Sequence, residues 1–266
     1  MRTTTLSCVL LSGLALNVSI HAQGFEYPTF GSTTGLTLNG NAFTSASEIL
    51  FGTLPGEVGS VWRTPAQPVA AGFTTTFDFD MVGSGFGGFA FVVQNNAAGA
   101  SALGANEEGL GYDGLDNLIA VEFDTIANPA VAHDLGLPNP HVAIHRNLPG
   151  QPNLSAPIAS AGVGILTAVS PRVRIDYVPG TLTVFYGGSV LLSVPLDLGA
   201  DLSLAAGNAF VGFTGSTSSI APIAVETRLQ SWYFSPLPPP QPSSPFGFMR
   251  PDFASPTGLV LNGNVT

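Results

Sequence analysis

Apolar and polar residues alternate with period two along much of the chain: "FTTTFDFDM" (73–81), "GFAFVVQ" (88–94), "NLIAVEFDT" (117–125), "HVAIH" (141–145), "RVRIDYV" (172–178) and "TLTVFYG" (181–187). A strand sends successive side chains to opposite faces, so each run predicts a β-strand with one face in a core. No window of helical length carries an apolar stripe at the 3.6-residue period. "VPGT" (178–181) separates two of the runs and predicts a hairpin turn in which Gly180 takes positive φ. Many short strands punctuated by glycine-rich turns predict an all-β domain of two stacked antiparallel sheets, a sandwich or jelly roll. Trp62 and Trp232 are expected in its core.

Both ends of the chain break this pattern. Residues 1–22 carry one arginine (Arg2), an apolar stretch from Leu6 to Ile20 and the small Ala22, the layout of a signal peptide and too short for a membrane span. The expectation is a secreted, extracellular protein. Cleavage there removes Cys8, the single cysteine, so stability must come from a core or from metal. Near the other end, "SPLPPPQPSSP" (235–245) predicts an extended linker, which gives one domain over 23–235 and a linker over 236–252. Beyond it, "FASPTGLVLNGN" (253–264) echoes "FGSTTGLTLNGN" (30–41) at a domain-sized spacing. Residues 253–266 are therefore expected to be the truncated start of a second repeat.

Only 9% of the residues are charged, lysine is absent, and the net charge is −10. With no basic cluster, nucleic acid and anionic membranes are poor partners, and no second apolar run is long enough to insert in a bilayer. Against this background "VEFDTIANPAVAHDLGLPNPH" (121–141) is unusual, because it gathers Glu122, Asp124, Asn128, Asp134 and His141. His133 and His145 fall in the same neighbourhood. On a strand, Glu122 and Asp124 project to one face and Val121 and Phe123 to the other. The apolar pair can then be core while the carboxylates meet solvent or an ion. Neighbouring carboxylates do not both stay ionised cheaply without a cation. Hard oxygen donors suit Ca²⁺, and an imidazole beside carboxylates suits a transition ion such as Mn²⁺, so the mixture suggests two adjacent ions sharing carboxylates. A solvated acidic loop is the competing reading.

"VEFDTIAN", followed by Asp134 and His141, resembles the metal-binding segment of legume lectins and their bacterial relatives, the L-type lectins. "LTLNGNAF" (36–43), "GSVWRTP" (59–65), "FTTTFDF" (73–79), "GFAFVV" (88–93), "GLGYDGLDNLIAVEFDT" (109–125), "VGFTGST" (211–217) and "ETRLQSWYF" (226–234) agree in the same order. The resemblance implies a concanavalin A-like jelly-roll sandwich that binds a glycan and is not an enzyme. It implies that Glu122, Asp124, Asp134 and His141 hold a transition ion, usually Mn²⁺. Asp124 and Asp134 would also hold Ca²⁺, with Asn128 and the backbone carbonyl of Ile126. The family's Ca²⁺ orders the loop that presents an asparagine, here Asn128, to a sugar hydroxyl. Family members also often pair through their flat back sheet.

Several positions depart from the family pattern. Gly87 stands where sugar-binding members present an aspartate, and Ile126 replaces an aromatic ring. "NEEGLGY" (106–112) puts Glu107, Glu108 or Gly109 where a family glycine donates its amide, and "GSTSS" (215–219) brings Gly215 and Ser216 to the remaining specificity loop. The alternatives are a structural or adhesion repeat that has lost sugar binding, and a glycoside hydrolase of the same superfamily. The second is weakened because Ile126 and Ala127 stand where related hydrolases carry a third acid. "GSGFGG" (83–88) is expected to join two strands, which leaves no helix N-terminus to bind phosphate.

Overall fold

The computed structural model describes residues 24–83, 87–128, 133–152, 156–164, 166, 171–204, 206–219 and 225–237. The expected signal peptide, most of the linker and the second-repeat segment lie outside these residues. The strands form two antiparallel sheets. The first has the order β14 (Ser189–Leu196), β13 (Gly180–Tyr186), β12 (Arg172–Val178), β7 (Phe73–Val82), β16 (Glu226–Pro236), β4 (Glu48–Leu50) and β3 (Phe43–Ser45), with β1 (Phe25–Tyr27) also on β16. The second has the order β11 (Ala159–Gly162), β10 (His141–Asn147), β9 (Leu118–Asp124), β8 (Gly87–Gln94), β15 (Asn208–Thr217), β5 (Val58–Arg63) and β2 (Leu36–Gly40), with β6 (Gln67–Pro68) on β15.

The inward faces meet in an aromatic core. Phe77 of the first sheet lies 6.2 Å from Phe89, 5.9 Å from Phe123 and 4.9 Å from Phe213 of the second, each ring edge-on to it. Edge-to-face contacts of this kind add to area burial because the positive ring edge meets a negative face. Trp232, fully buried, packs 4.9 Å from Phe213, and its indole N–H donates to Thr75 Oγ1 at 3.0 Å. Trp62 is equally buried but lies on the opposite face of the second sheet, where its indole donates to the carbonyl of Ala102 at 2.7 Å.

That outer face is covered too. Ala102, Leu110, Tyr112 and Leu115, from the long connection between β8 and β9, pack on Trp62, Ala90, Val92 and Ala120. The connection therefore roofs the second sheet with its own small core, and the strands beneath are buried on both faces. Two-sided burial explains why β8 reads as a nearly continuous apolar run.

The six periodic runs coincide with β7, β8, β9, β10, β12 and β13 to within about two residues at either end. Val178 pairs with Thr181 across the predicted hairpin, and Gly180 has φ +96°. One boundary differs. Ser235 and Pro236 continue β16 in register with Thr74 and Phe73, and the Leu237 amide donates to Gly72, so the strand enters the stretch expected to be linker. A strand end, where one ladder bond fewer is required, tolerates proline.

The core makes one expectation direct. Phe77→Ala removes the ring on which Phe89, Phe123 and Phe213 converge, and should lower unfolding stability by about 3–5 kcal/mol in urea titrations.

Candidate functional site

The site is built on β9, which lies between β8 and β10. Asp124 is opposite Gly88 on one side and His141 on the other; Glu122 is opposite Ala90 and Ala143. Four small or imidazole-bearing neighbours leave room above the strand for two carboxylates. Val121 and Phe123 point the other way, into the aromatic core. The face assignment from alternation holds, and of the two environments expected for that face, solvent or an ion, solvent is not what the structure shows: Glu122 is 1% and Asp124 5% exposed. The roof formed by Tyr112 and its neighbours closes over them.

A buried carboxylate must be partnered. Glu122 Oε1 accepts from His141 Nε2 at 3.0 Å and from His145 Nε2 at 2.9 Å, while Oε2 takes a short hydrogen bond from the Tyr112 hydroxyl. Burial alone would raise the Glu122 pKa; the charges and hydrogen bonds of His145 and His141 outweigh it and hold the carboxyl far below the usual range. Asp124 has no such imidazole bonds. Burial, reinforced by the Glu122 charge, pushes it well above the usual value, and Asp134 is raised by the same two causes. For His141, burial works against protonation, but the hydrogen bond and charge of Glu122 prevail and raise its pKa.

The chain then turns around these acids. Four successive amides after β9 each find an acceptor: Thr125 on Gly87 O, Ile126 on Asp124 Oδ1 at 3.1 Å, Ala127 on Asn139 Oδ1, and Asn128 on Asp134 Oδ2 at 2.8 Å. The other oxygen of Asp134 lies 4.0 Å from His141 Nε2. Donor atoms of Glu122, Asp134 and His141 all lie within 4.8 Å of one another. Ligands on an octahedral ion with bonds of about 2.1 Å stand ~3.0 Å apart when adjacent and ~4.2 Å when opposite. The His141–Glu122 and His141–Asp134 separations of 3.0 and 4.0 Å suit such an ion. Nδ1 of His141 and Nε2 of His133 are buried without partners, so the site also carries unused nitrogen donors.

Asp124 flanks this trio, its Oδ1 committed to Ile126. The Asn128 side chain donates to Glu108 Oε1 at 2.7 Å. The remaining positions expected at a sugar site are occupied otherwise. The Gly87 amide donates to Thr125 Oγ1, whose hydroxyl donates back to Gly87 O, so this backbone is already bonded. The Gly109 amide is bonded to Asn106 O inside a 3₁₀ turn (Glu107–Gly109). Gly215 and Ser216 lie within β15 and not in a loop. Gly215 faces the core, where an added Cβ would sit 2.9 Å from Phe51, and Ser216, buried, donates to Glu107 O at 2.6 Å. Gly212 is needed because a Cβ would meet Val61 O at 2.1 Å.

A family model for the legume lectin domain matches residues 22–245. The chain belongs to the legume lectin family. Its sandwich is similar to that of lectin I-B4 from Griffonia simplicifolia in metal-free form, with 23% identity and a TM-score of 0.67 over 80% of this chain and 99% of that one. It is also similar to the Bauhinia forficata lectin in complex with GalNAc, with 20% identity and a TM-score of 0.65 over 80% and 97%. Lectin I from Ulex europaeus, in complex with the methyl glycoside of α-L-fucose, shares 22% identity at a TM-score of 0.64 over 80% and 97%. At these identities the likeness establishes the fold. No curated protein matches the chain at a significant level.

Tyr112 and His145 are the site residues that motif reasoning did not assign a role. The signal for His145 was its place on the same strand face as His141, four residues further along; Tyr112 lies in a connection without periodicity and offered none. Tyr112→Phe strips Glu122 Oε2 of its hydroxyl partner and should cost ~1–3 kcal/mol of unfolding stability, read from urea midpoints.

The pKa shifts set a pH dependence for the metal-free lectin domain. The raised His141 value gives stability that is complete below its ordinary 6.5 and is lost as pH rises through the folded value. Asp124 acts in the same direction, since the unfolded chain releases its proton near 3.8 and the folded chain only at higher pH. The lowered Glu122 value contributes stability present above 4.5 and lost only in stronger acid. Over the interval above pH 6.5 the metal-free Tm should therefore fall as pH rises. A Tm rising across that interval contradicts the electrostatics described here.

Proposed function

We propose that this lectin-family chain binds carbohydrate through a loop that divalent cations order at the end of β9. The observation that carries the reading is the double use of Asp134: one oxygen holds the amide of Asn128 and the other faces His141. The carboxylate that would ligate an ion thus also fixes the residue that would meet the sugar. Glu122, Asp124, Asp134 and His141 would hold a transition ion such as Mn²⁺. Asp124, Asp134, Asn128 and the Ile126 carbonyl would hold Ca²⁺. Either ion supplies the positive charge that lets buried acids remain ionised together. The GalNAc and fucoside complexes of the Bauhinia and Ulex lectins support a saccharide as the ligand class.

Hydrolysis is disfavoured by the same geometry. A glycosidase pair must reach the glycosidic bond from either side, whereas Glu122 is buried and both its oxygens already accept hydrogen bonds from protein groups. The leader-like residues 1–22 support export, with the ions then drawn from the extracellular medium.

Loading the metal-free protein with Ca²⁺ and Mn²⁺ should raise its Tm, equivalent to roughly 2.7 kcal/mol at a hundredfold excess over Kd. Glycan-array binding should appear with the ions and vanish with chelator. Asp134→Asn should lose most of both effects. An ion-saturated wild-type protein that binds no saccharide overturns the carbohydrate reading and leaves the fold untouched.

A further inference from the structure

Beside the cation cluster stands a second acidic group whose position is fixed from several directions. Glu108 Oε1 accepts the side-chain amide of Asn128 at 2.7 Å, and both residues are half-buried, so the pair opens to solvent at one surface. The turn that carries Glu108 is clamped. Ser216 Oγ donates to the Glu107 carbonyl, Asn106 Nδ2 donates to Gly56 O at 3.1 Å, and Gly109 fits where a Cβ would press on Ala105 and Asp113. Glu107 at φ +54° and Leu110 at φ +43° occupy the left-handed region, which non-glycine residues adopt only when their surroundings compel it. A surface acid with no task needs no such support.

We propose that Glu108 is the selecting acceptor of the sugar site. With Asn128 it takes two neighbouring hydroxyls of a neutral or amino sugar and rejects sugars bearing carboxylate or sulfate. This inference rests on the carbohydrate reading above and names its ligand class. An ionised carboxylate accepts but does not donate, and of its roughly four lone-pair directions Asn128 uses one. The others favour hydroxyl or ammonium donors through charge-assisted bonds. Gly87 at the start of β8 has no side chain, and Glu108 supplies the carboxylate that takes the side-chain amide of Asn128. Glu107 adds a second negative charge next to it. The described arginines with ion-pair partners are engaged elsewhere: Arg146 with Asp201, Arg172 with Asp78, Arg174 with Asp176 and Arg228 with Glu226. Arg63 is hydrogen-bonded to Tyr27 and Gly35. Among the described residues no arginine stands ready to offset the repulsion that an anionic sugar would meet from Glu108.

The test compares the metal-loaded full chain with its Glu108→Gln and Glu108→Lys variants on immobilised neutral hexosides, amino sugars, uronates and sulfated glycans. Glutamine retains a carbonyl to accept from Asn128, so the turn and the metal-induced rise in Tm should persist in E108Q. Binding of the preferred neutral or amino sugar should weaken about tenfold or more, and the ratio of uronate to neutral binding should rise in E108Q and further in E108K. A purely structural role would not move that ratio. Wild-type affinity and selectivity in both variants, or a wild-type preference for uronates or sulfated glycans, overturns the proposal while leaving carbohydrate binding in place. No binding to any saccharide with the ions bound overturns both.

Discussion

The constraint on which the site depends is the burial of Glu122. A carboxylate with 1% exposure must be neutralised or partnered, and here two imidazoles and a phenol partner it. Those partners come from two places: His141 and His145 from the neighbouring strand, and Tyr112 from the roof. The two histidines are set by the strand register, because pairing β9 with β10 puts His141 opposite Asp124 and Ala143 opposite Glu122. A one-residue slip would send both histidines into the aromatic core and Val142 and Ile144 onto the carboxylates. Register, core and site are therefore fixed together.

The second consequence concerns the loop. Short polar segments hold one shape only when their amides are satisfied. After Asp124, side-chain oxygens of Asp124, Asn139 and Asp134 do this for three residues in a row. The acids therefore capture amides and, in the proposed ion-loaded protein, would also offer oxygens to a cation. With burial raising the pKa values of Asp124 and Asp134, neutrality and ionisation compete in the metal-free protein. A cation favours ionisation, which strengthens the same amide bonds. Loop shape and cation affinity are thus linked without any large movement.

Much of this was legible in the sequence, and the failures have physical causes. Alternation located β7, β9 and β12 because each has one face in the core and the other less apolar, and it put Glu122 and Asp124 on one face correctly. Charge scarcity made the segment from 121 to 141 conspicuous. The roof was not legible: Leu110, Tyr112 and Leu115 are spaced by turns and not by any helical or strand period, so nothing local announced that they would bury the acids. β15 was not among the periodic runs, because Gly212 and Gly215 interrupt the alternation where the chain packs closely on Val61 and Phe51. The positions around the expected sugar site were hardest, because Gly87, Gly109 and Gly215 have amides or contacts already used within the protein. That use is a property of tertiary hydrogen bonding and leaves no trace in spacing.

The distribution of charge separates two jobs that a family pattern tends to merge. Glu122 and Asp124 are sealed beneath Tyr112 and Leu110 and can interact only with cations and with protein groups, whereas Glu108 and Asn128 remain half-exposed. Asn128 joins the two layers, with its main-chain amide on Asp134 and its side-chain amide on Glu108. An ion that tightens Asp134 therefore fixes the outer pair through a single residue. Selectivity can then vary by changing the exposed acid while the buried cluster is preserved, because the turn carrying Glu108 is anchored by Ser216 and Asn106 and not by the ion ligands. The inner layer is constrained by burial and register; the outer layer is held by the bonds that anchor its turn and by the hydrogen bond between Asn128 and Glu108.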